Sequence, residues 1–387
     1  VNGIGYATIP QQGAVLAPLT EDPRENYTLL PSVIPQADYA ARDGNLLAAC
    51  YTTGGPVENA TTIVQLFEVS QEDELNPAGS IQLPGIGIDL LMAGGTLIAA
   101  VSGGFHVVDV RNPMMPAYQS TIPKALPHYS AVSNLDYHEA ALHKNYLYIY
   151  NPLYGNSDIP IRYLWHVYSL QDLQHPVLVK TVELPERMES FVIRNDVLYY
   201  FRGFSEEGEM LTGVIDLQNP EDPRVMVEDQ QSPTPDPIHA SMTVEEDRLI
   251  ICANRNYYNH ITVYDLEDVW RPTKVDTFQL SYYGPDKSPF YAPIDKIYVR
   301  KDKLITLESR DWGFVPRRDF QALILFDISN LQNPAEKARI ILDAFDKPPA
   351  MLKMNHHVLI PARQAGLLLY HDPATLESTV EGWAEMN

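Results

Sequence analysis

Only two cysteines, Cys50 and Cys252, occur in 387 residues, so no disulfide framework organises this chain. So low a count leaves the redox compartment open. No stretch approaches the roughly 18 consecutive apolar residues that a membrane-crossing helix needs. Positive charge is scarce: 28 Lys and Arg face 50 Asp and Glu, for a formal net charge of -22. A surface that acidic repels phosphate backbones and excludes bulk nucleic-acid binding, while favouring solubility. No G-x-S-x-G elbow, P-loop, G-x-G-x-x-G fingerprint, or H-x-x-x-H or C-x-x-C spacing is present, so no catalytic class declares itself. Low-complexity tracts are missing too, and Ser232–Pro237 reads as a stiff connecting loop. A chain that starts at Val1, without a charged-then-apolar leader, fits either a processed mature protein or a trimmed one.

What is present is repetition. A hydrophobic couplet after a tight turn returns at Leu47, Leu97, Leu147, Leu198, Leu249, Leu304 and Val358, at steps of 50, 50, 51, 51, 55 and 54 residues. Self-similarity at that period marks a propeller or an array. Two residues before each anchor stands Asn45, Gly95, Asn145, Asp196, Asp247, Asp302 or His356, preceded by an apolar run such as Phe191-Val192-Ile193. Apolar run, turn and apolar run predict a β-hairpin, the inner strands A and B of each repeat. Consecutive apolar positions, as in Leu97-Ile98-Ala99-Ala100-Val101, predict strands buried on both faces. Cys50 and Cys252 each follow an anchor by three residues, in the first and fifth repeats. That places them across a ring, too far apart for a disulfide, and predicts buried thiols.

A second signature follows each hairpin: Val107-Val108-Asp109-Val110, Val167-Tyr168-Ser169-Leu170, Val214-Ile215-Asp216-Leu217, Val263-Tyr264-Asp265-Leu266 and Leu325-Phe326-Asp327-Ile328. In all five a proline comes seven residues after the Asp or Ser, at Pro116, Pro176, Pro223, Pro272 and Pro334. The short polar side chain can bond the backbone of the following turn and end strand C. Proline cannot donate to a ladder and belongs at the start of an exposed edge strand, here strand D. The first repeat is looser, with Glu68 and Pro77, and the last has His371 in place of the Asp.

Four strands per repeat and seven repeats predict an all-β, seven-bladed β-propeller over residues 31–387. Residues 1–30 would form either a ring-closing strand or an N-terminal strap, and Ser378–Glu381 is a candidate for the last blade's own strand D. The strings Val107–Pro113 and Leu325–Asn330 resemble the LVIVD-repeat β-propeller proteins of bacteria and archaea. That resemblance spans nearly the whole chain through a degenerate motif. It implies the propeller fold and a periplasmic, secreted or cell-surface location, and it assigns no activity.

Propeller topology places the start of strand A and the end of strand B on one face. Counting eight to ten residues back from the anchors puts Asp38, Asp89, His138, Glu189, His239 and Asp295 around one channel mouth, with Pro349 in the seventh repeat. His with Asp or Glu would suit Zn, and carboxylates alone Ca. Solvated groups lining a polar channel are the plain alternative. Beyond strand B come Arg202, Arg255, Arg310 and Arg363, with Arg162, Arg317 and Arg318 in longer insertions. Tyr154, Tyr257, Tyr258, Trp312 and Phe314 interleave with them, and Tyr282, Tyr283, Phe290 and Tyr291 lie on the approach to strand A. Guanidinium groups beside aromatic rings recognise carboxylates, phosphates and sugar acids, and form protein hot spots. The alternative for each Arg is a neighbouring acid such as Glu308 or Asp311. These residues point to a binding or scaffolding propeller whose partner is a protein or an anionic small molecule or glycan. A second reading is a hydrolase or lyase using His138, Glu189 and His239. A third is a purely structural subunit of an assembly.

Overall fold

The computed structural model describes residues 14–17, 28–30, 37–54, 59–123, 140–153, 162–184, 188, 190–226, 240–255, 258–280, 294–300, 302–309, 321–332, 334–342, 351–355, 357–361 and 367–371. Every regular element among them longer than an isolated turn is a β-strand. Six sheets have four antiparallel strands each, ordered from A to D as the chain runs. Sheet 1 comprises Tyr39–Asp43, Leu46–Thr53, Thr61–Val69 and Leu75–Pro84. Sheet 2 comprises Gly87–Ala93, Thr96–Val101, Gly104–Asp109 and Ala117–Pro123, and sheet 3 Ala140–His143, Tyr146–Leu153, Arg162–Ser169 and Val177–Leu184. Sheet 4 is Ser190–Arg194, Val197–Phe204, Met210–Asp216 and Arg224–Met226, and sheet 5 Ala240–Glu245, Arg248–Arg255, Tyr258–Asp265 and Thr273–Leu280. Sheet 6 is Ile294–Arg300, Lys303–Ser309, Gln321–Asp327 and Ala335–Leu342. A five-stranded sheet joins Leu352–Lys353, His357–Pro361 and Leu367–His371 to two N-terminal strands, Ala14–Ala17 and Thr28–Leu30.

The sheets stand face to face as the blades of a β-propeller. Strand A of sheet 1 touches strand A of sheet 2, which touches that of sheet 3; sheets 4, 5 and 6 contact one another in the same way. Leu352–Lys353 and His357–Pro361 return to strand A of sheet 1. The core is correspondingly divided into slabs between neighbours. Cys50, Leu66, Leu83, Leu90 and Leu97 fill the gap between sheets 1 and 2, and Tyr148, Trp165, Leu198 and Tyr200 that between sheets 3 and 4. Ala37, Leu47 and Phe67 pack on Met354 and Leu359, across the gap between the two ends of the array. All six residues of Thr96–Val101 are buried, as expected for a strand covered on both faces. Cys50 and Cys252 are buried thiols, as predicted.

The recurring motifs have a common physical origin. The carbonyl of the residue two before the anchor accepts the N–H of the residue that ends or just follows strand C: Val69 to Asn45 (2.7 Å), Val110 to Gly95 (2.9 Å), and Leu170, Leu217, Leu266 and Ile328 to Asn145, Asp196, Asp247 and Asp302 (2.8 Å each). Thus the hairpin turn and the end of strand C are one unit, which is why both recur together. The residue at anchor minus two is the second of the two turn residues, and the first is left-handed in sheets 1 to 5, joined in sheet 2 by Gly95 (φ 77°). That first residue is Gly44, Gly94, Lys144, Asn195 or Glu246, with φ between 51° and 59°. After strand C, Asp109, Asp216, Asp265 and Asp327 accept the N–H two residues on at 2.6–3.0 Å. A second such turn follows three residues later at Asn112, Asp172, Asn219, Asp268 and Asn330. The prolines Pro116, Pro176, Pro223, Pro272 and Pro334 each stand immediately before strand D, as predicted. In sheets 2, 3, 5 and 6 strand D also carries a bulge, at Gln119, Val179, Val275 and Lys337, which blunts its open edge.

Adjacent hairpin turns are linked on this same face. His143 and Lys144 reach Asp196 in the next sheet (3.1 Å from His143 Nε2), Arg194 reaches Asp247 (3.0 Å) and Arg248 reaches Asp302 (3.5 Å). These pairs are partly exposed and each adds little stability, but repeated at the three junctions from sheet 3 to sheet 6 they favour one stacking register. The end sheets meet through Asn355, whose N–H donates to buried Asp73 (2.8 Å) and whose Oδ1 accepts from Arg42 (3.2 Å). Ala14–Ala17 runs parallel to Leu367–His371, pairing Leu16 with Leu369 and Ala17 with Tyr370. Ser378–Glu381 lies outside the described residues.

The exposed Glu246 holds φ at 51°, a conformation that costs a non-glycine residue about 1 kcal/mol or more. Glu246→Gly is therefore expected to raise the free energy of unfolding by up to about 1 kcal/mol, net of the greater freedom of an unfolded glycine. Glu245→Gly, in the adjoining strand, should lower it. Chemical denaturation of both variants checks the difference in sign.

Candidate functional site

The A–B and C–D turns share one face, and the B–C and D–A connections the other. The two faces are built differently. A–B turns are two residues long in sheets 1 to 6, and the segment between strands C and D is seven residues long in sheets 2 to 6. On the opposite face the strand B to strand C connection runs from two residues in sheet 2 to eleven in sheet 6. The strand D to strand A crossover lengthens from two residues before sheet 2 to sixteen before sheet 3. Variation in a repeat array collects on the face that is free to bind.

On this variable face the junction of sheets 1 and 2 is described in full. Asp38 precedes strand A, donates its own N–H to the Cys50 carbonyl (2.7 Å) and accepts the Thr52 N–H on Oδ2 (3.0 Å). Thr52 Oγ1 accepts from the Gly87 N–H (3.0 Å), and Thr62 Oγ1 donates to the Gly85 carbonyl (2.8 Å). A Cβ on Gly87 would meet Thr62 at 3.2 Å, so glycine permits this close crossing of the two sheets. A bulge between Gly87 and Asp89 then shifts the register, and Asp89 accepts the Leu90 N–H (2.8 Å).

Asp38 and Asp89 both lie within electrostatic reach of the buried Cys50 thiol. Burial first, then these two carboxylates, push that thiol far above its ordinary range and leave it inert as a nucleophile. Asp89 keeps part of its surface open, yet dense protein surrounds its carboxyl and raises its pKa, an effect that Lys296 partly opposes. Lys296 stands eight residues before its anchor, as Asp89 does, and a bulge between Ile294 and Lys296 repeats the one before Asp89. Sheets 2 and 6 thus present opposite charges at matching positions of the mouth.

The other predicted residues divide by location. His138, Glu189, His239, Arg310, Arg363, Tyr257, Trp312, Tyr154, Phe314, Arg317, Arg318, Tyr282, Tyr283, Phe290 and Tyr291 lie outside the described residues. Asp295, Arg255 and Tyr258 belong to strands, with Arg255 paired to Tyr258 across a ladder, but their side chains lie outside the description. Arg202 is the extra residue of a bulge between Phe201 and Gly203. It is 4% exposed and already engaged by the protein, a different situation from a cation presented to solvent. The bulge turns Phe204 back onto Phe201 and toward His260, both edge-on at 5.6 Å. Arg162 starts strand C of sheet 3 and binds Glu183 of strand D through two hydrogen bonds of 2.9 and 2.6 Å. It is a case of the neighbouring-acid alternative. Among the described residues no three His, Cys, Asp or Glu side chains converge as a metal set.

Counting from the A–B anchors alone misses a set of polar ties in the outer strands. Opposite the residue two past the anchor stand His106, His166 and Thr262, bonded to Thr121 (2.7 Å), Thr181 (3.0 Å) and Thr277 (3.0 Å) of strand D. His106 Nε2 must donate to the Pro84 carbonyl (3.0 Å), so Nδ1 accepts from Thr121. His166 is held neutral by burial, its pKa lowered. Their signal in the sequence is position: each stands three residues before the Asp or Ser that ends strand C. They are structural.

No family model matches the sequence, and no curated protein sequence matches it either. Solved structures do match its fold. The periplasmic gluconolactonase PpgL of Pseudomonas aeruginosa aligns at a TM-score of 0.52 and 10% identity, covering 81% of this chain and 87% of that one. A functionally unknown protein from Desulfotomaculum acetoxidans aligns at 0.50 and 8% identity, covering 85% and 99%. The β-propeller domain of the trilobed protease from Pyrococcus furiosus aligns at 0.44 and 9% identity, covering 84% and 90%. At these identities the likeness is one of fold alone.

Because burial raises the folded-state pKa of Asp89, its ionisation opposes folding: the stability it allows is present below the unfolded carboxylate value near 3.8 and is lost as pH rises through the folded value. Asp89→Asn is expected to raise the melting temperature at pH 7 and to give no gain at about pH 3. Equal shifts at both pH values, read by thermal unfolding, would show that charge burial is not the cause.

Proposed function

We propose that this chain is a seven-bladed β-propeller that binds a protein, or an anionic small molecule or glycan, on the face bearing its B–C loops. The five-stranded sheet is then the seventh blade, and the strand at Ala14–Ala17 closes the ring against Leu367–His371. Membership of the LVIVD-repeat proteins and a place outside the cytoplasm belong to the same proposal, resting on the strings Val107–Pro113 and Leu325–Asn330.

One observation carries the reading. The A–B and C–D face is locked by turn lengths that hardly vary and by hydrogen bonds and ion pairs that recur between sheets, whereas on the other face the connections range from two to sixteen residues. The arginine and aromatic residues of the sequence fall mainly into those variable connections: Arg310, Trp312 and Phe314 between strands B and C of sheet 6, and Tyr257 in the corresponding turn of sheet 5. Guanidinium and aromatic groups set against a net charge of -22 favour an anionic or hot-spot ligand there. Support for the mouth as an acid–base site would have to come from His138, Glu189 and His239.

Calorimetric titration with a uronic-acid oligosaccharide, a sulfated disaccharide, citrate and an acidic peptide tests the reading. At least one probe should bind, and Arg255→Ala with Arg310→Ala should weaken it tenfold or more. Asp216→Ala on the opposite face should leave it unchanged. Unaltered affinity in the double variant rejects the proposal. Turnover of a bound probe that disappears in His138→Ala moves the chain to the hydrolase or lyase reading instead.

A further inference from the structure

The outer strands differ in charge around the wall of the molecule. Strand D carries Lys180 and Glu183 in sheet 3, Arg224 in sheet 4, Lys274 and Asp276 in sheet 5, and Glu336, Lys337 and Arg339 in sheet 6. In sheet 1 the ten residues Leu75–Pro84 contain no charge at all. Nor do residues 112–123, which form the C–D turn and strand D of sheet 2. Two neighbouring outer strands without one ionised group are unexpected in a chain with 50 acids and 28 bases. Edge strands are ordinarily protected by charge, and these two lack it.

This neutral sector is one continuous, rigid surface. A Cβ on Gly79 of sheet 1 would strike the Pro113 carbonyl oxygen at 2.4 Å and Pro116 Cδ at 2.9 Å, so the turn of sheet 2 lies directly on strand D of sheet 1. His106 of sheet 2 bonds the Pro84 carbonyl at the far end of the same strand (3.0 Å). Across that surface stand the exposed side chains of Met114 (62%), Met115 (74%) and Tyr118 (50%). At its rim are Glu72, Glu74 and Arg111, the last chelated by Asp109. An apolar centre of Met and Tyr, depleted of Lys, Glu and Asp and bordered by a polar rim, has the composition of a protein interface core.

We propose that this sector is the interface between two copies of this chain, related by a twofold axis. Charge selects that occupant. Two copies at -22 each repel over most of their surface, and here they can meet without burying like charges. A twofold axis pairs residue i with j and j with i, and a residue on the axis meets its own image, so a charged residue at the centre would face itself. Ser120 is already bonded to the Leu173 carbonyl, and Thr121 to His106 and Tyr118. The other polar groups include the amides Asn76, Gln82, Asn112 and Gln119 and the hydroxyl of Ser80, each of a kind that both donates and accepts. Such groups are self-complementary where Lys or Glu is not. Of the ten and twelve residues in the two segments Leu83 and Ile122 are buried, which leaves at most twenty for the surface, the lower end of the about 20–30 per side that a stable interface uses. The contact is side chain to side chain, since the bulge at Gln119 interrupts the edge for strand pairing.

Sedimentation equilibrium of the full chain, from about 1 to about 200 µM, should show a reversible monomer–dimer equilibrium with a monomer of 43.6 kDa. Raising NaCl from about 50 to about 500 mM should tighten it, because screening relieves the long-range repulsion and leaves neutral contacts intact. Met115→Glu and, separately, Tyr118→Glu should each weaken it at least tenfold. Both side chains are largely exposed, and unchanged circular dichroism would show that the fold survives. Met226→Glu, an exposed apolar position outside the sector, should dimerise as the parent does. A chain that stays monomeric throughout overturns the proposal. So does association that weakens with salt, proceeds past the dimer, or is indifferent to both sector variants.

Discussion

Burial of each sheet on both faces is the constraint from which the other features follow. A four-stranded sheet whose two faces are both apolar cannot stand alone, and one neighbour covers only one face. Stacking covers the interior sheets but leaves the first and last each with a bare side, and a ring removes that defect. The packing of Ala37, Leu47 and Phe67 against Met354 and Leu359 is this requirement met between the ends of the array. Because the core is a series of slabs, no single hydrophobic centre has to grow with chain length, and 387 residues fit one architecture.

The same constraint explains why the two faces differ. Neighbouring sheets keep one register only if their turns repeat, so the A–B and C–D side is filled with identical devices. These are the carbonyl at anchor minus two, the paired Asx turns and the Asp-to-cation links between sheets. On the other side the connections differ in length from sheet to sheet. There the inner strands bear bulges before Asp89 and Lys296, and strand B of sheet 4 bears another at Arg202. Local departures from the ladder mark the region where side chains have been re-aimed rather than merely stacked.

Much of the fold was legible because its signals are periodic and backbone-driven. Asp109, Asp216, Asp265 and Asp327 end strands by a bond their own side chains make, and a proline before strand D is excluded from a ladder interior whatever surrounds it. Asn45, Gly95, Asn145, Asp196 and Asp247 do stand in the two-residue turns, but their left-handed partners Lys144 and Glu246 carry no turn-former signal. Site residues were legible only as to face. Asp38 and Asp89 do come together, around Cys50, but Lys296 was overlooked because the mouth was sought among acids and histidines. Arg202 and Arg162 show the limit of reading cations from sequence: one is buried in a bulge and the other is held by Glu183. Nothing in residue order distinguishes those fates, since each depends on a partner strand.

Leu16 pairs with Leu369 and Ala17 with Tyr370, so among the described residues the first strand is completed by the last. During synthesis six sheets can form in turn, each on its predecessor, while the opening strand waits without its partner. Until Met354 and Leu359 are available, the apolar side of sheet 1 that they cover stays open. Completion of this sheet therefore requires both ends of the chain. Any shortening of the C-terminal strands would be felt first at the beginning of the chain, through the longest loop its topology contains.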